Sequence, residues 1–301
     1  MIRFCIFSLL CLLKLNAIGI PQDLQSARSI SITEKNDGFG SQLQRRMSAI
    51  AFAIVHNKEY VHRPFTSLQH NYDKNPTFHK EMEEFANIGL EFPLIEHCDD
   101  PNLYLREDYR YYTDLDIDGY YNSHVLSLLR RNYYSTPKPE ITYFEEDRID
   151  VAVHIRRGDV RDTGPMGRWV CDEHYLKAMD KIRKKYHKVK FHIYSEGNID
   201  QFTKFQSHDV EFHLNEEIRS TFHGLVSADI LILSKGGFSY SAGLLSEGTV
   251  YYTKHWNPKL AHWIQNDDVP HPVRIRPPRP RKKRPKPKIR PRPYPRVKPR
   301  R

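Results

Sequence analysis

The sequence predicts an α/β fold with a doubly wound parallel layer in its second half. Three observations predict it. From Ile149 onward, short apolar runs at 149–155, 189–195, 210–213, 229–234 and 248–252 alternate with helical patterns near 172–187, 215–227 and 238–246. Strands alternating with helices imply parallel pairing through crossovers. The stretch Val151-Ala-Val-His-Ile-Arg-Arg-Gly-Asp159 reads as a buried strand that delivers a histidine and two arginines to its carboxyl end, where open parallel sheets bind ligands. Hydrophobic residues make up 39% of the 301 residues and aromatics 12%, enough for two modest domains sharing a cleft or for one large domain.

Ahead of that layer, Met1–Gly19 has the form of a leader. Arg3 gives a positive start, Phe4–Leu13 is apolar, and Ala17-Ile18-Gly19 fits a small-x-small cleavage site. About ten apolar residues fall short of the roughly 20 that a span requires, so the readings are a secretory signal, a short anchor or an amino-terminal core helix. The first two route the chain to the lumen of the endoplasmic reticulum or Golgi, or outside the cell. Residues 21–35 read as a loose lead-in. Asp37-Gly-Phe-Gly40 is a turn that opens a helix with Leu43, Met47, Ile50, Ile54 and Val55 on one face. A strand is expected over Glu59–Phe65, helices over His79–Gly89 and Tyr121–Tyr134, and a linker at Thr136-Pro-Lys-Pro139.

The net charge of +10 belongs to the tail. Residues 274–301 hold fifteen Lys or Arg, nine Pro and no acid, which leaves 32 basic against 37 acidic residues in 1–273. Such a segment blocks helix and sheet ladders and lacks apolar content for a core, so residues 270–301 are expected to be disordered. Its charge fits a polyanion partner: an acidic glycan, an anionic membrane or, less well in a lumenal chain, nucleic acid. Cys98 and Cys171 are the cysteines beyond the leader, and they form either one disulfide or two separate buried thiols. The histidines are scattered, and no metal ligand set is expected from their spacing. Asp114-Leu-Asp-Ile-Asp118 reads as a solvated loop.

Three segments carry candidate chemistry. Gly38-Phe-Gly40 precedes a helix, where backbone N–H groups make an anion seat or the glycines simply make a turn. Arg156 and Arg157 suit two-point contact with a diphosphate, or pair with neighbouring carboxylates such as Asp159 and Asp162. Ser234-Lys-Gly-Gly-Phe-Ser239 lies between a strand and a helix and offers backbone N–H groups with the hydroxyls of Ser234 and Ser239, or a tight connection packed on glycine.

In this order the segments resemble the fucosyltransferase superfamily that shares a His-x-Arg-Arg motif, which includes α1,2-, α1,6- and protein O-fucosyltransferases. Gly38-x-Gly40-x-Gln42-Leu43 is similar to its amino-terminal motif, His154-Ile-Arg-Arg-Gly-Asp159 to its central motif, and Ser234–Gly243 to its carboxyl-terminal Ser-x-Ser-Ser-Phe-Ser. The resemblance implies a GT-B-like enzyme with two Rossmann-type lobes and a cleft between them, at 28–140 and 141–265. It implies an inverting, metal-independent reaction with no cofactor, transferring fucose from GDP-fucose to a glycan or glycoprotein acceptor. Carried across, Arg156 binds the diphosphate and helps it leave, while His154, Arg157, Gly38, Gly40, Ser234, Gly236, Gly237 and Ser239 bind donor. Gly236 and Gly237 stand where the motif has paired serines. This leaves two further readings, a degenerate nucleotide- or glycan-binding protein and a transferase with another donor. For the base that deprotonates the acceptor hydroxyl, Asp162 leads, followed by Asp159 and Glu173.

Overall fold

The structure, a computed structural model, describes residues 19–162 and 167–266. The leader (Gly19 apart) and the basic tail lie outside the described residues. No helix among the described residues is long and apolar enough to cross a membrane.

The first half is built on a three-stranded parallel sheet in the order β2-β1-β3, from β1 (Ser29–Ile32), β2 (Glu59–Tyr60) and β3 (Tyr104–Arg106). The lead-in expected over 21–35 is therefore corrected: it forms helix α1 (Gln22–Ser26) and β1, the central strand, buried at all four positions. The strand escapes notice because two of its four residues are serines, whose hydroxyls bond across the sheet to Val61 O (2.7 Å) and Glu59 (3.2 Å). The strand expected to Phe65 ends at Tyr60, because His62 turns away to donate to Pro93 O.

Helix α2 (Phe39–Val55) is the longest described element and starts from Gly38 as N-cap. Fourteen of its 17 residues are buried, including Arg45 and Arg46. Those two guanidinium groups avoid the cost of burial by donating to the carbonyls of Glu107, Thr33, Arg63 and Pro64. Short helices α3 (Phe78–Ala86), α4 (Arg110–Thr113), α5 (Ile117–Tyr120) and α6 (Ser123–Tyr134) complete this half.

The second half matches the expected alternation closely. Strands β4 (Ile149–Ile155), β5 (Val189–Ser195), β6 (Val210–Leu214), β7 (Ile230–Ile232), β8 (Thr249–Tyr252) and β9 (Ile264–Gln265) form a six-stranded parallel sheet in the order β6-β5-β4-β7-β8-β9. Helix α7 (Asp172–Lys185) covers one face, with Tyr175, Ala178, Met179 and Ile182 against Val151, Val153 and Ile155. Helices α8 (Ile218–Ser227) and α9 (Gly237–Leu245) cover the other face, in one continuous core with β1, α2 and α6. Arg130 of α6 donates to Leu245 O and Ser246 O, satisfying carbonyls at the end of α9.

Chain order reverses beside β4. Strands β5 and β6 lie to one side of it, and β7, β8 and β9 to the other. The gap beyond the carboxyl ends of β4 and β7 is therefore the topological switch point, where such sheets bind ligands.

Candidate active site

Arg156 emerges from β4 at this switch point. Its backbone N–H donates to Ser234 Oγ (3.3 Å), and its Nη1 reaches Lys235 O (3.4 Å), so the two strand ends are tied together. The guanidinium lies directly over Gly236, where a Cβ would stand 2.6 Å from Nη1. Gly236 also has φ +153°, which disfavours a side chain on its own account.

The two glycine segments meet each other. A Cβ on Gly40 would sit 2.3 Å from Phe238 Cα, and one on Gly237 would lie 3.0 Å from Gly40 O. Ser241 Oγ donates to Gly40 O at 3.2 Å. The amino termini of α2 and α9 thus converge in backbone contact beside Arg156, bringing together N–H groups that have no intrahelical partners. The glycines that depart from the paired-serine pattern fit this arrangement: the place for a side chain at 236 belongs to Arg156, and at 237 to Gly40.

The hydroxyls expected to hold donor are engaged within the fold. Ser239 Oγ donates to Ser234 O (3.2 Å), and Ser234 Oγ accepts from Tyr175 (3.1 Å); both serines are buried. Arg157 is buried too. It pairs with Asp172 of α7 at 2.6 Å, donates to Arg156 O, and stacks 3.6 Å from the Trp169 ring. His154 lies on the α9 face, its ring 5.4 Å from Phe238. Burial, helped by the nearby Arg156 charge, lowers its pKa to about 3, so the imidazole is neutral in use. Its Nδ1 is buried without a hydrogen-bond partner, a polar atom still able to take one up.

Arg156 also holds Asp159 in a two-point pair at 3.0 and 2.5 Å. Burial alone would raise the Asp159 pKa, but the Arg156 hydrogen bond and charge outweigh it and the net shift is downward. That makes Asp159 a poor proton acceptor. Glu173, on α7, is committed to Lys204 at 2.7 Å, and this bond lowers its pKa. Asp162 is exposed on the turn after the motif. Gly38 caps α2 and sits against the His70 ring, which a Cβ would approach to 3.1 Å.

Three residues not anticipated from sequence join this site. Glu196 follows β5 immediately, and its Oε2 occupies the place where Gly158 (φ +70°) would carry a Cβ, 2.0 Å away. Burial and the Asp159 charge raise the Glu196 pKa, opposed by His70 and Arg156. His70 has φ +66°, an unusual conformation for a side-chain-bearing residue, and its Nδ1 is 2.9 Å from Tyr72 Oη. Glu196 had a signal in the sequence: it directly follows the strand expected over 189–195. His70 and Tyr72 sit in an irregular stretch that gave none.

Elsewhere, Asp116 caps α5 and Asp118 accepts from Ala261 N (2.7 Å), so both have structural uses. Cys98 and Cys171 are free and half-buried, so the disulfide reading is set aside.

Residues 136–265 match the model of Glycosyl transferase family 11. Over those residues the chain is similar to a glycosyltransferase family. The matched region contains Arg156, Glu196 and the Ser234–Ser239 segment, and ends at β9. The chain also aligns with solved structures at low identity and low TM-score. A NodZ α-1,6-fucosyltransferase co-crystallized with GDP is 13% identical, with TM-score 0.37, over 72% of this chain and 92% of that one. NodZ from Bradyrhizobium gives 13%, TM-score 0.34, and 72% and 93%. POFUT1 in complex with GDP-fucose gives 9%, TM-score 0.39, and 80% and 99%. Scores this low add nothing to the family match. No curated protein matches the chain.

Proposed function

We propose that this protein is a glycosyltransferase that transfers fucose from GDP-fucose to a glycan or glycoprotein hydroxyl, with inversion and without a metal at the donor. The observation that carries the reading is the meeting of Arg156 with the amino termini of α2 and α9 at the switch point. A diphosphate there competes with Asp159 for the Arg156 fork. Fixed cationic and backbone donors stabilise the charge that grows as the sugar–phosphate bond breaks, which favours the transition state over the ground state.

The acceptor hydroxyl gives its proton to Glu196 as its oxygen bonds to the sugar carbon, and GDP leaves with the electron pair of the broken bond. Glu196 suits this role because its raised pKa makes it a better base than Asp159. Arg156 drawn toward diphosphate relaxes its hold on the carboxylate pair, and Glu196 becomes more basic when donor is bound. The exposed Tyr72, bonded to His70, offers an aromatic face for an acceptor sugar. The leader sequence supports a lumenal or secreted location, and the tail's charge supports attachment to a polyanion.

A donor panel with the purified chain tests this reading. GDP-fucose is expected to be hydrolysed in preference to other nucleotide sugars, and added Mg²⁺ or Mn²⁺ to leave the rate unchanged. Arg156→Ala is expected to lower donor turnover by about 10³-fold, near the loss of one main transition-state donor. No GDP binding by calorimetry to the unaltered chain would favour the degenerate reading, and preference for another nucleotide would favour the different-donor reading.

A further inference from the structure

Away from the donor site, the edge of the large sheet brings together two histidines and a glutamate. His192 lies on β5, and Glu211 and His213 on β6, the edge strand. In the parallel register His192 is opposite Glu211, and alternation puts His213 on the same face as Glu211. One ligand atom from each of the three lies within 4.8 Å of the others.

The outer nitrogens settle which inner atoms carry lone pairs. His192 Nε2 is 2.9 Å from Asp150 Oδ1, and His213 Nδ1 is 2.9 Å from Glu216 Oε1. A carboxylate only accepts, so in each neutral ring these nitrogens carry the hydrogen. The remaining nitrogens, His192 Nδ1 and His213 Nε2, are then both acceptors, and they face each other at 3.1 Å. Two lone pairs at that distance repel unless a cation stands between them. Tetrahedral zinc with two imidazole ligands separates the nitrogens by about 3.3 Å, close to this spacing. Glu211 Oε1 is 3.8 Å from His213 Nε2 and supplies a third donor.

The support around these residues also has the form of a metal centre. Histidines that bind metals hold their other nitrogen on a carboxylate, which fixes tautomer and ring orientation. Asp150 does this for His192 and is itself held by Arg148 (2.9 Å) and the Glu145 N–H (2.8 Å). Rings of Tyr143 and Tyr194 stack on His213 at 4.2 and 4.8 Å. His192 and His213 are buried, whereas the Glu211 side chain is 41% exposed and gives a route from solvent.

We propose that His192, His213 and Glu211 bind one divalent metal of the zinc class, which staples the edge strand β6 to β5. Asp150 and Glu216 act as positioning residues. The competing arrangement is a single proton shared between the rings.

The full chain, stripped with chelator, separates the two when titrated with Zn²⁺ and with Co²⁺. The expected result is one equivalent bound, a tetrahedral Co²⁺ visible spectrum, and a higher Tm with Zn²⁺. Glu216→Gln is expected to weaken binding about 10–100-fold, as loss of a supporting carboxylate does. Glu211→Gln, at the surface and spared the folding risk of a buried change, should weaken it at least as much, and His213→Gln should abolish the spectrum. Absence of stoichiometric binding overturns the proposal in favour of the shared proton. Binding of equal strength in Glu211→Gln and Glu216→Gln also overturns it, by assigning the metal to other histidines.

Discussion

Arg156 and Arg157 are neighbours in sequence and opposites in structure. Alternation along β4 sends Ala152, His154 and Arg156 toward the face covered by α8 and α9, and Val153, Ile155 and Arg157 toward α7. Arg156 ends beside the meeting glycines with its fork on Asp159, at a 22% exposed position. Arg157 is 6% exposed, between Asp172 and the Trp169 ring. Position at a strand end gives a charge its opportunity, and the face it takes decides whether that charge serves a ligand or the fold.

The comparison predicts two different failures. Arg156→Ala should lower turnover by about 10³-fold while the melting temperature hardly moves, since its partner Asp159 is left near solvent. Arg157→Ala leaves Asp172 and Trp169 without their partner on the α7 side. Breaking a buried pair by deleting one member costs about 3 kcal/mol. Arg157→Ala should therefore lower Tm by several degrees, while the protein that remains folded keeps its KM for donor. Thermal melts paired with donor kinetics decide this. A raised KM with an unchanged Tm for Arg157→Ala would move that side chain into the donor site.

Glu196 extends the comparison from the arginines to the carboxylates. Asp159 is ionised by its pairing, whereas Glu196 is pushed toward the protonated form by burial and by Asp159. Glu196→Gln is expected to lower kcat for transfer about 10²-fold with little change in donor KM, a typical loss for a general base. In the unaltered enzyme, activity should rise with pH through a limb above the ordinary glutamate range, and Glu196→Gln should lose that limb. Asp159→Asn showing the larger loss in kcat would exchange the two roles.

The strands and helices of the second half were legible because each repeats a period over many residues, and β4 and β5 fall at the expected bounds. The short strand β1 was not legible, because its serines are buried only through bonds to chain some 30 residues away. Arg156 could be read from its place at the end of a strand. The same rule applied to Ser195 would have reached Glu196. The fate of Arg157 was half-visible, since alternation separates it from Arg156, but Asp172 and Trp169 as its partners depend on how α7 packs. The meeting of Gly40 with Gly237 lies across almost 200 residues, and no local pattern encodes it.

Burial without a carboxylate gives the smallest of the expected effects. Arg157 is charged because Asp172 answers it, but His56 and His223 contact the hydroxyls of Tyr120 and Tyr133, which do not compensate a cation. Burial, with Lys58 and Lys138 nearby, lowers both pKa values to about 4; burial likewise brings His255 to about 4. Between about pH 6.5 and 4 the unfolded chain binds protons at these sites and the folded chain does not, so stability is full above 6.5 and falls as pH drops. Each histidine contributes on the order of 1 kcal/mol of loss by pH 5. Asp114, raised to about 6 by burial, works in the opposite sense, as one group against several. The melting temperature should therefore fall between pH 7 and pH 5, before ordinary carboxylates titrate, and His223→Gln should flatten part of that slope. A melting temperature that stayed level across this range would mean that these rings accept a proton in place.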